Sequence, residues 1–459
     1  MGISLRANSP FASIAKERVT EDQSPSHSTQ LDVDRCALLH NSLAIYGWVA
    51  GGKKIAQLDK RTWWIKHGSS GILPHLKPCL AKFLRKVYDF SANNLFYYVS
   101  GLASPRQMLY LGDLMENHDQ KQGAKYRFLV LYVTPKELVK YPAGIIYDQE
   151  KAEAIFMPTF NHIYNLEDVN LPWQKLESIL SAYMDLVDAE KVFAINASLG
   201  YGMRYNTTPW TLMPYTTRDL RVCLDLWRRL YQAIERRAGV EPSDDPDLHE
   251  PVCGRSSLSA ACIPKGFAWD LFSHARIPAI RYVAPGIRLP TPMEFIDQPF
   301  KDIAEKYPKE TAHIKMPILF FHIEGTVSAK DAKFRFPFST VERVPCGLYL
   351  DALPEAANSF EDSCRLLLPF RLGDNKYARM SDGKIISKTH IDLYGHGISP
   401  FVMRHGPKLN AILENWLDNV ESHHWAVDGE GVAGGIETFK LADTREFWWR
   451  YRIPEIRSI

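Results

Sequence analysis

The sequence predicts an α+β chain in which an antiparallel sheet closes around a lumen and helices coat its outside. Three observations lead there. Strand candidates and amphipathic helix candidates alternate along most of the chain. Several strands place polar or cationic side chains on one face and bulky apolar ones on the other. Finally, 46% of the 459 residues are hydrophobic and 12% aromatic, enough for one large core.

The elements follow from periodicity. Helices are expected over 72–88, 173–188, 217–238 and 406–422. In the last, Leu409, Ile412, Leu413, Trp416 and Leu417 recur at three- and four-residue steps, which gives one apolar face. In 217–238, Leu220, Leu224, Trp227 and Leu230 form the inner face. Arg218, Arg221, Arg228, Arg229, Arg236 and Arg237 then read as its wet side, a grip on a polyanion such as tRNA being the other reading. Strands are expected over 126–133, 152–157, 278–283, 317–324, 332–338, 385–394 and 447–452.

Side chains alternate between the two faces of a strand. Within 332–338, Lys333 and Arg335 share one face, and Phe334, Phe336 and Phe338 the other. Within 388–394, Lys388, His390, Asp392 and Tyr394 oppose Ile391 and Leu393. Near the C-terminus Phe447, Trp449 and Tyr451 share a face. If the sheet closes, its polar faces line an interior of cations, imidazole and aromatic rings. Such an interior suits an anionic head with an apolar or cationic tail. An ordinary amphipathic strand with its charged face in water remains the other reading.

Residues 1–35 read as a flexible N-terminal arm. Residues 36–459 read as a single domain with an insertion around 195–262, which includes the Pro- and acid-rich stretch 240–257. The formal net charge of +2 gives no bulk case for nucleic acid or an anionic membrane. The seven scattered cysteines form no C-x-x-C pair, which argues against a disulfide framework and a zinc site. The first residues lack the apolar run of a secretory signal, and no stretch of eighteen apolar residues occurs. A cytoplasmic protein is expected. Nucleotide-loop and nucleophile-elbow motifs are missing, as is the D-D-x-x-D pattern of metal-bridged diphosphate. His322 and Glu324, two apart on a strand, read as a polar pair on a strand face, with a metal-binding pair as the other reading.

From Trp63-Trp64 onward, short motifs keep the order found in one known family. Thr134-Pro135-Lys136-Glu137-Leu138 is similar to its T-P-x-E-L-S turn. Phe267-Ala268-Trp269-Asp270-Leu271 followed by Tyr282 is similar to L-A-L-D-L and K-T-Y. The run from Ser328 to Arg335 is similar to S-P-A-x-S-R-x-K, and Lys388-Thr389-His390 to K-x-Y. Over roughly 60–455 the chain thus resembles the fungal aromatic (indole) prenyltransferases of the dimethylallyltryptophan synthase type. The resemblance implies a barrel of about ten antiparallel strands ringed by helices (the ABBA or PT barrel).

It also implies transfer of a dimethylallyl or longer prenyl group from its diphosphate to an indole or other aromatic acceptor, in alkaloid-type secondary metabolism. No metal or other cofactor is implied. The implied partners are those two small molecules, with neither nucleic acid nor membrane, in a monomer or homodimer. By the resemblance, Glu137 is the catalytic proton acceptor, and Lys333, Arg335, Lys388 and Arg281 bind pyrophosphate. Tyr282, His390, Tyr451, Phe447 and Trp449 shield the cation or bind substrate. Glu153 and Ile280 stand where the family has an arginine and a lysine. This departure favours the alternative, a barrel that binds or cyclises a prenylated or alkaloid-like metabolite without ionising a prenyl diphosphate.

Overall fold

The structure, a computed structural model, describes residues 9–20, 22–90, 94–116, 125–135, 142–157, 166, 171, 173–195, 208–213, 215–240, 251–311, 316–332, 334, 336–350, 364–380, 383, 385–386, 390–394 and 407–453. They form two compact units. One lies within Met1–Met213, the other within Pro214–Gly397 and Arg404–Ile456. The boundary falls inside the segment 195–262 that was read as an insertion.

The first unit has helices α1 (Val33–Ala50), α2 (Trp63–His67), α3 (Pro78–Leu84), α4 (Pro105–Glu116) and α5 (Leu176–Asp188). Its strands β1 (Gly101–Leu102), β2 (Phe128–Val133), β3 (Gly144–Asp148) and β4 (Glu153–Met157) make an antiparallel sheet in sequence order. β5 (Val192–Ala194) and β6 (Trp210–Leu212) form a separate antiparallel pair. Asp32 starts α1 by accepting the Arg35 amide at 3.1 Å, which satisfies one of the donors a helix start leaves open. Part of the expected N-terminal arm is fastened to this unit. Phe11 is buried, and Arg18, only 2% exposed, is ion-paired with Asp185 and Asp188.

The second unit has helices α6 (Thr217–Ala238), α7 (Arg255–Ala260), α8 (Phe267–His274), α9 (Pro292–Ile296), α10 (Ile303–Lys306), α11 (Pro308–Thr311) and α12 (Leu409–Glu421). Its strands are β7 (Tyr282–Ala284), β8 (Ile287–Arg288), β9 (Ile318–Ser328), β10 (Arg343–Leu350), β11 (Cys364–Leu372), β12 (His390–Asp392), β13 (Val427–Asp428) and β14 (Gly431–Val432). They form one sheet in the order β12-β11-β10-β9-β8-β7-β14-β13. Neighbours are antiparallel except β14 and β7, which run parallel.

Helix α6 is specified at both ends. A reciprocal capping box joins Thr216 and Asp219, and Gly239 closes the helix in the left-handed conformation at φ 71°. α6 and α12 lie parallel. Lys408, before α12, sits 3.8 Å from Asp219, and Arg237 near the end of α6 donates to the Val420 carbonyl. Together they cover one sheet face. Phe321 meets Trp227 at 5.7 Å and Trp416 at 5.5 Å between ring centroids. On the opposite face Leu319, Tyr349 and Leu367 pack with Phe300 and Phe338. No helix among the described residues is long and apolar enough to cross a membrane.

The expected barrel is overturned. Among the described residues none of the three sheets closes, and the edge strands β12 and β13 each have one neighbour. Closure needs a continuous ladder of staggered strands. Here the described residues of the two edges number three and two, and a parallel junction interrupts the antiparallel order.

Two expected strands also form other structure. The described residues of 332–338 lie in turns leading to a 3-10 helix at Phe338–Thr340. The amides of Ala332 and Phe334 donate back to Ser328 and Ala329, both at 3.0 Å. Pro337 has no N–H to give a ladder. In 447–452, Trp448–Arg450 is a 3-10 helix whose amides are consumed locally, Arg450 N–H on Phe447 and Tyr451 N–H on Trp448. A backbone already bonded to itself cannot join a sheet.

Candidate functional site

The eight-stranded sheet carries a row of directly opposed residues on the face that packs against Phe300 and Phe338. Tyr282 on β7 faces Arg288 on β8, Arg288 faces His322 on β9, and His322 faces Gly347 on β10. The row continues through Leu367 on β11 to Asp392 on β12. Directly opposed residues share a face, so these side chains stand on one side of the sheet. Glu324, two residues beyond His322, is exposed and near enough to Arg288 to help raise its pKa, after Glu294.

Each member is held by its surroundings. Arg288 makes a two-point pair with Glu294, Nη1 to Oε2 at 2.8 Å and Nη2 to Oε1 at 2.7 Å. Glu294 is fixed in turn by the start of α9, where it accepts the Thr291 amide at 2.8 Å and Thr291 caps the helix. The Arg288 guanidinium holds the Glu294 carboxyl down at about 2.

His322 is half-buried. Its Nε2 is shielded from solvent and has no hydrogen-bond partner among the described residues. Burial, with Arg288 adding to it, lowers the His322 pKa below its ordinary value, while Glu294 opposes the shift. The ring is therefore neutral at pH 7. Opposite it stands Gly347, where a Cβ would meet the Phe321 carbonyl oxygen at 2.2 Å. The neighbouring position in the row thus carries no side chain.

At one end of the row the Arg281 guanidinium lies 5.3 Å from the Tyr282 ring centroid. Toward the other end Arg365 binds Asp392 and rests over Phe334 at 5.2 Å and Phe338 at 5.0 Å. His322 and Asp392 are three strands apart, roughly 15 Å at the usual strand spacing. The two ends are thus separate environments. One is an acid–base surface of phenol, imidazole and a charge-balanced pair. The other is an aromatic floor with an ion pair.

The expected site residues divide as follows. Glu137, Lys333, Arg335 and Lys388 lie outside the described residues. His390 is in β12 by its backbone, and its side chain also lies outside the description. Arg281 and Tyr282 are brought together at the polar row. Tyr451, Phe447 and Trp449 line no barrel lumen. Tyr451 is buried against Phe439 and Trp425 and donates to the Thr438 carbonyl at 3.1 Å. Phe447 is half-buried, and Trp449 is 52% exposed.

Arg288, Glu294 and Gly347 went unnoticed in the sequence. Only Glu294 had a legible signal, the T-P-x-E start of α9. No cluster of three His, Cys, Asp or Glu arranged for a metal occurs among the described residues. The chain matches no family model, no curated protein and no solved structure.

Proposed function

We propose that the chain is an enzyme that handles a small aromatic or prenyl-derived metabolite, with His322 as its proton-transfer group. The observation that carries this reading is the neutral, half-buried imidazole whose solvent-shielded Nε2 has no partner among the described residues, set between Arg288 and the side-chain-free Gly347. A neutral imidazole with an uncommitted nitrogen serves as a general base toward an N–H or O–H acid, becoming imidazolium as it takes the proton. Tyr282, with Arg281 over its ring, offers an aromatic group two strands away, on the far side of Arg288.

Two chemistries fit. The sequence resemblance supports alkyl transfer from a prenyl diphosphate to an aromatic acceptor. Binding or cyclising a prenylated or alkaloid-like molecule, with no diphosphate ionised, is favoured by one observation. Arg288 is already neutralised by Glu294, which leaves it little to offer a diphosphate. We take the second as the better supported.

Thermal shift with two probes separates them. Indole is expected to raise the melting temperature of the wild type and not of Tyr282→Ala, with no shift from dimethylallyl thiolodiphosphate, an unreactive donor mimic. A shift with the mimic that is lost in Arg281→Ala would restore prenyl transfer. A His322 imidazole signal that neither probe moves in NMR would remove His322 from the site.

A further inference from the structure

We infer that residues 9–28 form a strap that opens as a unit and gates a polar interior in the first unit. The strap lies across α1 and α5. On α5 it ties to one stripe of acceptors, Glu177, Ser181, Asp185 and Asp188, spaced three or four residues apart. The Ser26 amide donates to Glu177 Oε1 at 3.0 Å, and the Val19 amide to Ser181 Oγ at 2.9 Å. Arg18 pairs with Asp185 and Asp188, and the Ser9 hydroxyl donates to Asp188 at 2.6 Å. From α1, Arg35 donates to the carbonyls of Glu17 at 2.6 Å and Ser24 at 3.3 Å. Tyr46 meets the buried Phe11 ring at 5.2 Å between centroids.

Each of these polar ties involves a side chain. Among the described residues the backbone–backbone hydrogen bonds of the strap all stay inside it. They run from Ala12 to Ser9, Ile14 to Phe11 and Arg18 to Ala15, with a mutual pair between Thr20 and Gln23. The strap can therefore lift without breaking a ladder or its own turns, which places it at the low-cost end of local opening. Residues 27–30, on the way to α1, are exposed. What the strap covers is polar. Glu177, under Ser26, turns its other oxygen to the Cys36 thiol at 3.5 Å. Burial, with Glu177 adding to it, pushes the Cys36 thiol up, so the closed state keeps it inert. The Tyr147 hydroxyl is buried with no partner among the described residues, and burial, then Cys79, Cys36 and Glu177, raise its pKa. A buried phenol left unpaired offers a hydrogen-bonding place to a small polar molecule that enters when the strap lifts.

Native-state labelling of the full chain with N-ethylmaleimide, read by mass spectrometry of the Cys36 peptide, tests this. In low urea the wild-type Cys36 rate is expected to stay flat, because lifting the strap exposes little surface. Amide exchange in β3, which requires the sheet to open, should rise steeply over the same range. Arg18→Ala takes the cation from between two aspartates and should speed Cys36 labelling by roughly tenfold or more, still without a urea slope. The wild-type slope needs no variant and decides alone if Arg18→Ala fails to fold. A Cys36 rate that climbs in parallel with β3 exchange would mean that the thiol is reached only by unfolding of the unit, and would overturn the proposal. A rate that folded Arg18→Ala leaves unchanged would overturn it too.

Discussion

Arg288 and Glu294 face each other through two parallel hydrogen bonds, 2.8 and 2.7 Å, and Arg288 stands opposite His322, whose Nε2 has no partner among the described residues. The cation lowers the pKa of His322 and the carboxylate raises it. The pair is therefore a setting on the imidazole as well as a structural contact. Glu294→Gln should push the His322 pKa further down, and Arg288→Gln should move it up. Titration of the His322 ring proton by NMR reads both. Equal values in the two variants would mean that the pair does not act on the ring.

Helix α6 was legible in the sequence to the residue because local signals agree at each end. Thr216 and Asp219 can satisfy open amides, Gly239 can turn left-handed, and the apolar stripe between them has helical period. The strands at 126–133, 152–157 and 317–324 were also legible, as runs dense in β-branched and aromatic residues. The alternation in 332–338 and 447–452 misled. A period of two says which face a residue would take in a strand, not whether the amides have a strand to bond. In both places they bond locally. Closure of the sheet was beyond the sequence for the same reason. It is decided by whether β12 and β13 find a further partner, which is a long-range matter. The polar row depends on register across six strands, and one of its members, Gly347, has no side chain to notice.

Gly347→Ala should disrupt the centre of that sheet. The new methyl would sit 2.2 Å from the Phe321 carbonyl oxygen and 2.5 Å from a Leu319 methyl. The first of these is backbone in the adjacent strand and cannot swing away, so β9 and β10 must separate locally. A loss of several kcal/mol is expected, roughly the scale of an overpacked core. Urea denaturation measures it, and a wild-type midpoint would contradict the register.

The first unit should weaken in mild acid through His40. Its ring is buried between the Tyr88 carbonyl, 2.9 Å from Nε2, and the Tyr132 hydroxyl, 3.0 Å from Nδ1. A carbonyl can only accept, so Nε2 carries the proton and Nδ1 accepts from Tyr132. Burial pushes the His40 pKa down to about 4. An unfolded histidine titrates near 6.5. The unfolded chain therefore binds the extra proton first, and stability falls as pH drops from about 6.5 to 4, by about 3 kcal/mol in all. Above about 6.5 the term is constant. His40→Gln should be less stable at pH 7 and show a shallower decline across that window in urea midpoints.

Asp443 should prove one of the costlier single carboxylates to remove from the second unit. It is buried, and its two oxygens accept from four backbone amides, those of Gly373 at 3.0 Å, Asn375 at 2.9 Å, Tyr377 at 2.9 Å and Ala378 at 3.1 Å. Its own carbonyl takes the Asn375 side-chain amide at 3.0 Å. The carboxylate thus ties the chain that leaves β11 to the 3-10 segment Ile436–Asp443. Burial alone would raise its pKa, but the four amide bonds outweigh burial and hold it below the usual carboxylate value. Asp443→Ala strands those donors and should cost about 3 kcal/mol at pH 7. Because the folded pKa is depressed, the stabilisation is complete above about pH 4 and fades as pH falls through the folded value. The gap between wild type and variant should therefore narrow in urea melts taken at progressively lower pH. A gap that stayed constant into strong acid would mean that the amides bind the neutral acid as well as the anion.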